Sequence, residues 1–117
     1  MAKKKFYTYL LLFSDNENPR KMFFKVGETS DLDRRISELE KTYDAFCTYI
    51  SALYVFDTEE KALTMENVIR SYCKEKKYTR FIPKDRFKGR YPTTADINAF
   101  NAKSEEVVRL FTEHAPC

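Results

Sequence analysis

The run Phe6–Phe13, FYTYLLLF, constrains the fold most, because it is apolar on both of its alternating faces. One set is Tyr7, Tyr9, Leu11 and Phe13; the other is Phe6, Thr8, Leu10 and Leu12. A half-buried strand shows only one apolar set, so this segment predicts a central strand covered on both sides. Its basic start, MAKKK, imitates a secretory signal. The apolar run is short, however, and holds Tyr and Thr with no small-x-small cleavage site after it. No stretch is long enough to cross a membrane, and none is expected to.

A polar segment, SDNENPRK, separates this strand from a second over Met22–Gly27, which reads as a hairpin with a long loop. Thr29 or Ser30 is placed to cap the next helix, with Ser30 and Asp33 in capping-box spacing. Phe46–Phe56, rich in β-branched and aromatic residues, predicts a third strand. A longer helix starts at Asp57 or Thr58 and runs to about Lys77. The stretch YTRFIPKDRFKGRYPTT reads as irregular or short-stranded, and a last helix covers about 94–113. The expected class is α/β (α+β): a small, mainly antiparallel three-stranded sheet layered with helices. A single domain is expected over 1–117, with its core at about 6–90 and the last helix appended.

Composition narrows the chemistry. The single histidine, His114, makes Ser-His-Asp, Cys-His and multi-His metal sites poor expectations. Cys47, Cys73 and Cys117 are widely spaced and form no C-x-x-C pair, which points to a reducing cytoplasm. Net charge is only +3, yet Arg70 to Arg90 carries nine basic residues against two acidic ones, interleaved with aromatics. Arg70, Lys74, Lys77, Arg80, Lys84, Arg86, Lys88 and Arg90 thus form a candidate surface for a polyanion; a solvated helix end and loop is the alternative.

Helical angles separate the charges that could serve a site. At about 100° per residue, Leu32, Ile36, Leu39 and Tyr43 define one buried stripe. Arg34 falls opposite it, whereas Arg35 lies at its edge, suited either to a phosphate oxygen or to snorkelling past the core. On the longer helix the stripe is Ala62, Met65, Ile69, Tyr72 and Cys73, with Glu66 at its edge. A carboxylate there needs a cation or a partner, either a divalent metal or Arg70 one turn later. Lys25 interrupts the apolar FFKVG and reads as edge protection or a phosphate contact. Gly27 reads as the residue that lets the strand turn into the helix and brings Lys25 and Arg35 to one sheet surface.

Together, YTYLLLF, FFKVGETSDLDRRISEL and a glutamate on a later helix resemble the GIY-YIG nuclease superfamily, closest to its phage and bacterial branch with a K-(I/V)-G second signature. The resemblance implies a divalent-metal-dependent DNA endonuclease using Mg²⁺ or Mn²⁺. It places Tyr9 at the motif tyrosine, with Tyr7 beside it, and Lys25-Val26-Gly27 at the second signature. Arg35 stands at the helix arginine that stabilises phosphate charge, and Glu66 at the metal ligand. Gly27 and the basic segment would contact double-stranded DNA, and a homodimer would extend an otherwise short recognition site. Tyr7 stands where the signature has glycine, and Lys25 where the family's name has tyrosine. A catalytically weak or inactive module of the same fold, binding nucleic acid or protein, is the alternative implied.

Overall fold

β1 (Phe6–Asp15) is an interior strand of an antiparallel sheet, as its two apolar faces require. A computed structural model describes residues 4–76, 80–82, 86–88 and 93–113. After β1 come β2 (Met22–Thr29), α1 (Leu32–Tyr43), β3 (Ala45–Phe56) and α2 (Glu59–Lys76). Two three-residue strands, β4 (Arg80–Ile82) and β5 (Arg86–Lys88), precede α3 (Thr94–Glu113). The sheet order is β3-β1-β2-β5-β4. The three long strands are those legible in the sequence, and the short β4–β5 pair adds two more along β2.

The two faces of β1 feed separate cores. Tyr9, Leu11 and Phe13 pack with Phe23 of β2 and Leu39 of α1, and Phe13 stacks on Phe23 at 5.3 Å between ring centres. Leu10 and Leu12 pack with Phe24, Val26 and Phe56 beneath Ala62, Met65, Ile69 and Cys73 of α2 and Phe100 and Val107 of α3. One helix therefore covers one face and two helices the other. Thr8 faces the second core, fully buried, and its hydroxyl donates to the Ala62 carbonyl at 2.7 Å, which fixes the start of α2 over β1.

The cap of α1 corrects the expectation of Thr29 or Ser30. β2 runs on to Thr29, and Asp31 is the cap, its carboxylate accepting from the Arg34 amide at 3.2 Å. Thr29 instead accepts from the Asp31 amide, a tight turn that ends the strand and presents the aspartate. Asp31→Ala is expected to cost about 1 kcal/mol of stability, measurable by urea denaturation. At the other end Asp44 takes a left-handed conformation, φ 50°, and Asn16 donates to its carboxylate at 2.9 Å, tying the β1–β2 loop to the α1–β3 turn.

α3 is held by polar bonds as well as its apolar stripe. Tyr72 donates to the buried Asp96 at 2.7 Å, and Tyr54 donates to Asn101 at 2.7 Å. The bond to Asp96, with burial adding to it, pushes the Tyr72 phenol up to about 12; burial pushes Tyr54 up to about 12. Unfolded tyrosines ionise near 10, so below that pH neither state loses a proton and stability is unaffected. Between about 10 and 12 the unfolded chain sheds protons that the folded chain keeps, so stability falls as pH rises. Thermal melts should hold steady to about pH 9.5 and then drop, with a shallower fall in Tyr54→Phe and Tyr72→Phe.

Candidate active site

Gly27 sits within β2 and faces Tyr9 of β1 across the ladder. A Cβ at that position would overlap the Tyr9 ring and hydroxyl. This corrects the sequence expectation, since the strand continues two residues past Gly27 and the turn lies at Thr29–Asp31. The glycine is needed for close approach: its bare backbone is the floor on which the Tyr9 phenol lies.

The Tyr9 hydroxyl lies against Gly27, and α1 supplies its partner. The Arg35 guanidinium lies beside that hydroxyl and acts on it through both a hydrogen-bonding contact and its charge. Its side chain is 39% exposed and also lies 3.8 Å from Glu38, whereas Arg34 is 69% exposed and pairs with Glu38 and Asp31. The helix thus points one arginine to solvent and one along the sheet. Burial pushes the Tyr9 phenol above its ordinary value; the bond and charge of Arg35 oppose this without reversing it, and the Glu66 charge adds to the rise. Tyr9 is therefore a neutral donor at physiological pH, aimed by a permanently charged one.

Lys25 occupies the next position on the same face of β2 and is 7% exposed. Tyr7 lies one strand repeat from Tyr9, half-buried, in register with Thr29 and Val55. Among the described residues β5 pairs with β2 only through Phe23, Phe24 and Lys25, so the edge of β2 from Val26 to Thr29 carries no further strand. Register sets Lys25 opposite Arg86, and Phe23 in a row with Lys88 and Arg80. These basic positions fall on the first and second rows beyond the Tyr9–Gly27 row on the same face. Lys77, Lys84 and Arg90 lie outside the described residues.

Glu66 approaches from α2, on the other face. Its side chain is 16% exposed, and its Oε2 lies 3.3 Å from Nη2 of Arg70, which is 22% exposed. Arg70 also donates to Asn67 at 3.0 Å, while Lys74 is exposed on the same helix. The Glu66 charge acts on two groups that lie on opposite faces of the sheet, Tyr9 and Glu28. Burial holds the Glu28 carboxyl above its usual range, Glu59 and Glu66 raise it further, and Lys4 opposes them. Sequence reasoning missed Glu28, although it directly follows Gly27; only its register opposite Thr8, beneath α2, marks it.

The donors suit a hard divalent cation of the magnesium type. Among the described residues no three His, Cys, Asp or Glu side chains converge. One or two carboxylates with water and a substrate phosphate is the usual magnesium arrangement, and Glu28, raised first by burial and then by the charges of Glu59 and Glu66, has acidic neighbours of that kind. Glu66, with Glu28 beside it, fits that role.

No helix among the described residues is long and apolar enough to cross a membrane. Comparison with curated proteins and with solved structures gives no match. The family model of the T5orf172 domain, a phage-associated domain related to GIY-YIG and HNH-like nucleases, matches residues 6–85, from the start of β1 to the β4–β5 connection. The match takes in Tyr9, Lys25, Gly27, Arg35 and Glu66, and the chain belongs to the T5orf172 domain family.

Proposed function

We propose that this chain is a GIY-YIG-type, divalent-metal-dependent endonuclease that hydrolyses phosphodiester bonds in double-stranded DNA. The observation that carries the reading is the Tyr9 phenol laid over Gly27, with the Arg35 guanidinium beside its hydroxyl and the Glu66 charge acting on the same group. Two donor groups side by side with a carboxylate charge in range suit a phosphate as water attacks it and negative charge builds on its oxygens.

In that reaction Arg35 offers N–H groups to a non-bridging phosphate oxygen and stays charged throughout. Tyr9, protonated because it is buried, donates to the same phosphate or to the attacking water and acts as a positioning donor rather than a base. Lys25, fixed in the strand floor one position away, adds positive charge to the surface that receives the phosphate. Glu66, with Glu28, would hold Mg²⁺ or Mn²⁺, which supplies Lewis-acid polarisation of the phosphate and stabilisation of the leaving oxygen. The basic register positions of β5 and β4 would extend the path along the duplex.

The Glu66–Arg70 ion pair favours a second reading, a nucleic-acid-binding module whose carboxylate is neutralised internally. A salt titration of DNA binding, run beside a nicking assay with Mg²⁺, Mn²⁺ or chelator, separates the two. Nicking that chelator stops supports the enzyme; salt-sensitive binding without cleavage in either metal supports the module.

A further inference from the structure

The far edge of the sheet has the opposite character from the site. β3 is the terminal strand on that side, and its twelve residues, AFCTYISALYVF, include no charge in a chain one third charged. Large apolar side chains on it remain in water: Phe46 at 43%, Tyr49 at 58%, Ile50 at 43%, Leu53 at 39% and Val55 at 51% exposure. They lie on both faces of the strand, since Leu53 and Val55 share the side of Tyr9 and Tyr7 while Tyr49 shares that of Leu12. A ligand resting on one face would cover only half of them; a strand added edge-on covers both.

Charge chooses among occupants. From residue 42 to 60 there is no Lys or Arg, and Asp44, Asp57, Glu59 and Glu60 flank the strand, so nucleic acid and anionic membrane are disfavoured. The strand itself holds neither a lysine nor a proline to guard its edge; among the described residues Glu40 of α1 accepts from the Cys47 amide at 3.0 Å near its start, and Tyr49, Ile50, Leu53 and Val55 stay exposed. Two bulges against β1 bend the strand without blocking it.

We propose that β3 is the seam of a homodimer, in which β3 of a second copy pairs antiparallel across a two-fold axis. An uncharged strand is self-complementary, and an isologous contact needs nothing from the partner that this chain lacks. The acidic ends that meet across the axis are partly neutralised, because Lys61 pairs with Asp57 at 2.8 Å. The five exposed side chains leave roughly 400 Å² of apolar surface per copy. Two copies would then cover about 800 Å² before backbone and flanking surface are counted, close to the roughly 1,000 Å² of a specific interface. The seam lies on the opposite edge of the sheet from the basic register positions, leaving them open.

Sedimentation velocity across the micromolar range tests it. The full chain should move from its 13.9 kDa monomer mass toward twice that value as concentration rises. Val55→Lys and Ile50→Lys should stay at the monomer mass, with circular dichroism and melting temperature showing them folded. Leu63→Lys, on an exposed α2 position away from the seam, should dimerise like the parent chain. A chain that stays monomeric throughout, or a dimer that neither folded β3 variant weakens, overturns the proposal, whatever other protein the surface captures.

Discussion

Gly27→Ala is expected to disable the site although alanine adds a single methyl group. The residue has ordinary strand backbone, so the effect is not conformational; the new Cβ meets the Tyr9 ring and hydroxyl. Tyr9 is 1% exposed and packed among Leu11, Phe13 and Leu39, so its ring cannot slide aside without opening that core. Either β1 and β2 separate locally or the ring leaves its place and surrenders its bond to Arg35. Overpacking of this kind costs about 1–3 kcal/mol, and each kcal/mol lowers the melting temperature by roughly 4–8 °C in a domain near this size. Cleavage should fall further than stability, because the donor pair is dismantled even where the fold survives. In a Tyr9→Ala background, where the ring is already gone, Gly27→Ala should cost less stability than it does in the parent chain, a non-additivity that identifies the collision, and neither variant should cleave. A Gly27→Ala protein that melts and nicks like the parent would refute the geometry.

Arg35→Ala should do the converse, leaving the fold nearly intact and lowering the nicking rate by about 10²–10³-fold, the usual loss when one charged donor to a developing oxyanion is removed. The side chain is partly exposed and its ion pair with Glu38 is a surface one, so its removal should change stability by less than about 1 kcal/mol. Arg35→Lys keeps the charge but not the planar fork that reaches Tyr9 and phosphate together, and should recover only a small part of the rate. Tyr9→Phe keeps the ring on its glycine floor and removes the donor alone. Burial places the Tyr9 phenol above its ordinary value, so the parent rate should begin to fall only above about pH 10, as the phenol ionises, and that alkaline limb should be absent in Tyr9→Phe.

How much of this is legible in the sequence follows from which forces are local. The two-faced apolar run marks β1 as an interior strand, and helical angles place Ala62, Met65, Ile69 and Cys73 in the core and turn Arg34 to solvent. All of that is periodicity, which neighbours along the chain decide. Gly27 is different. In sequence it looks like a turn residue; in space it is a mid-strand gap filled by a ring from the adjacent strand, a relation only the register creates. Glu28 acquires its neighbours Glu59 and Glu66 the same way, from a helix thirty residues downstream. The Asp31 cap was missed because Thr29, a good capping residue by type, is drawn into β2 and spends its hydroxyl on the turn. The exposed edge of β3 was likewise hidden, because β-branched and aromatic residues report a strand without reporting whether anything lies beyond it.

Tyr9, Arg35 and Glu66 are proposed to form one phosphodiester-cleaving site. Nicking of supercoiled plasmid in Mg²⁺ or Mn²⁺ by the parent chain, beside folded Arg35→Ala and Glu66→Ala, tests it most directly. Open-circular product is expected from the parent chain and none above background from either variant. Tight, salt-sensitive DNA binding with no cleavage in any metal, or cleavage that survives both substitutions, would contradict it.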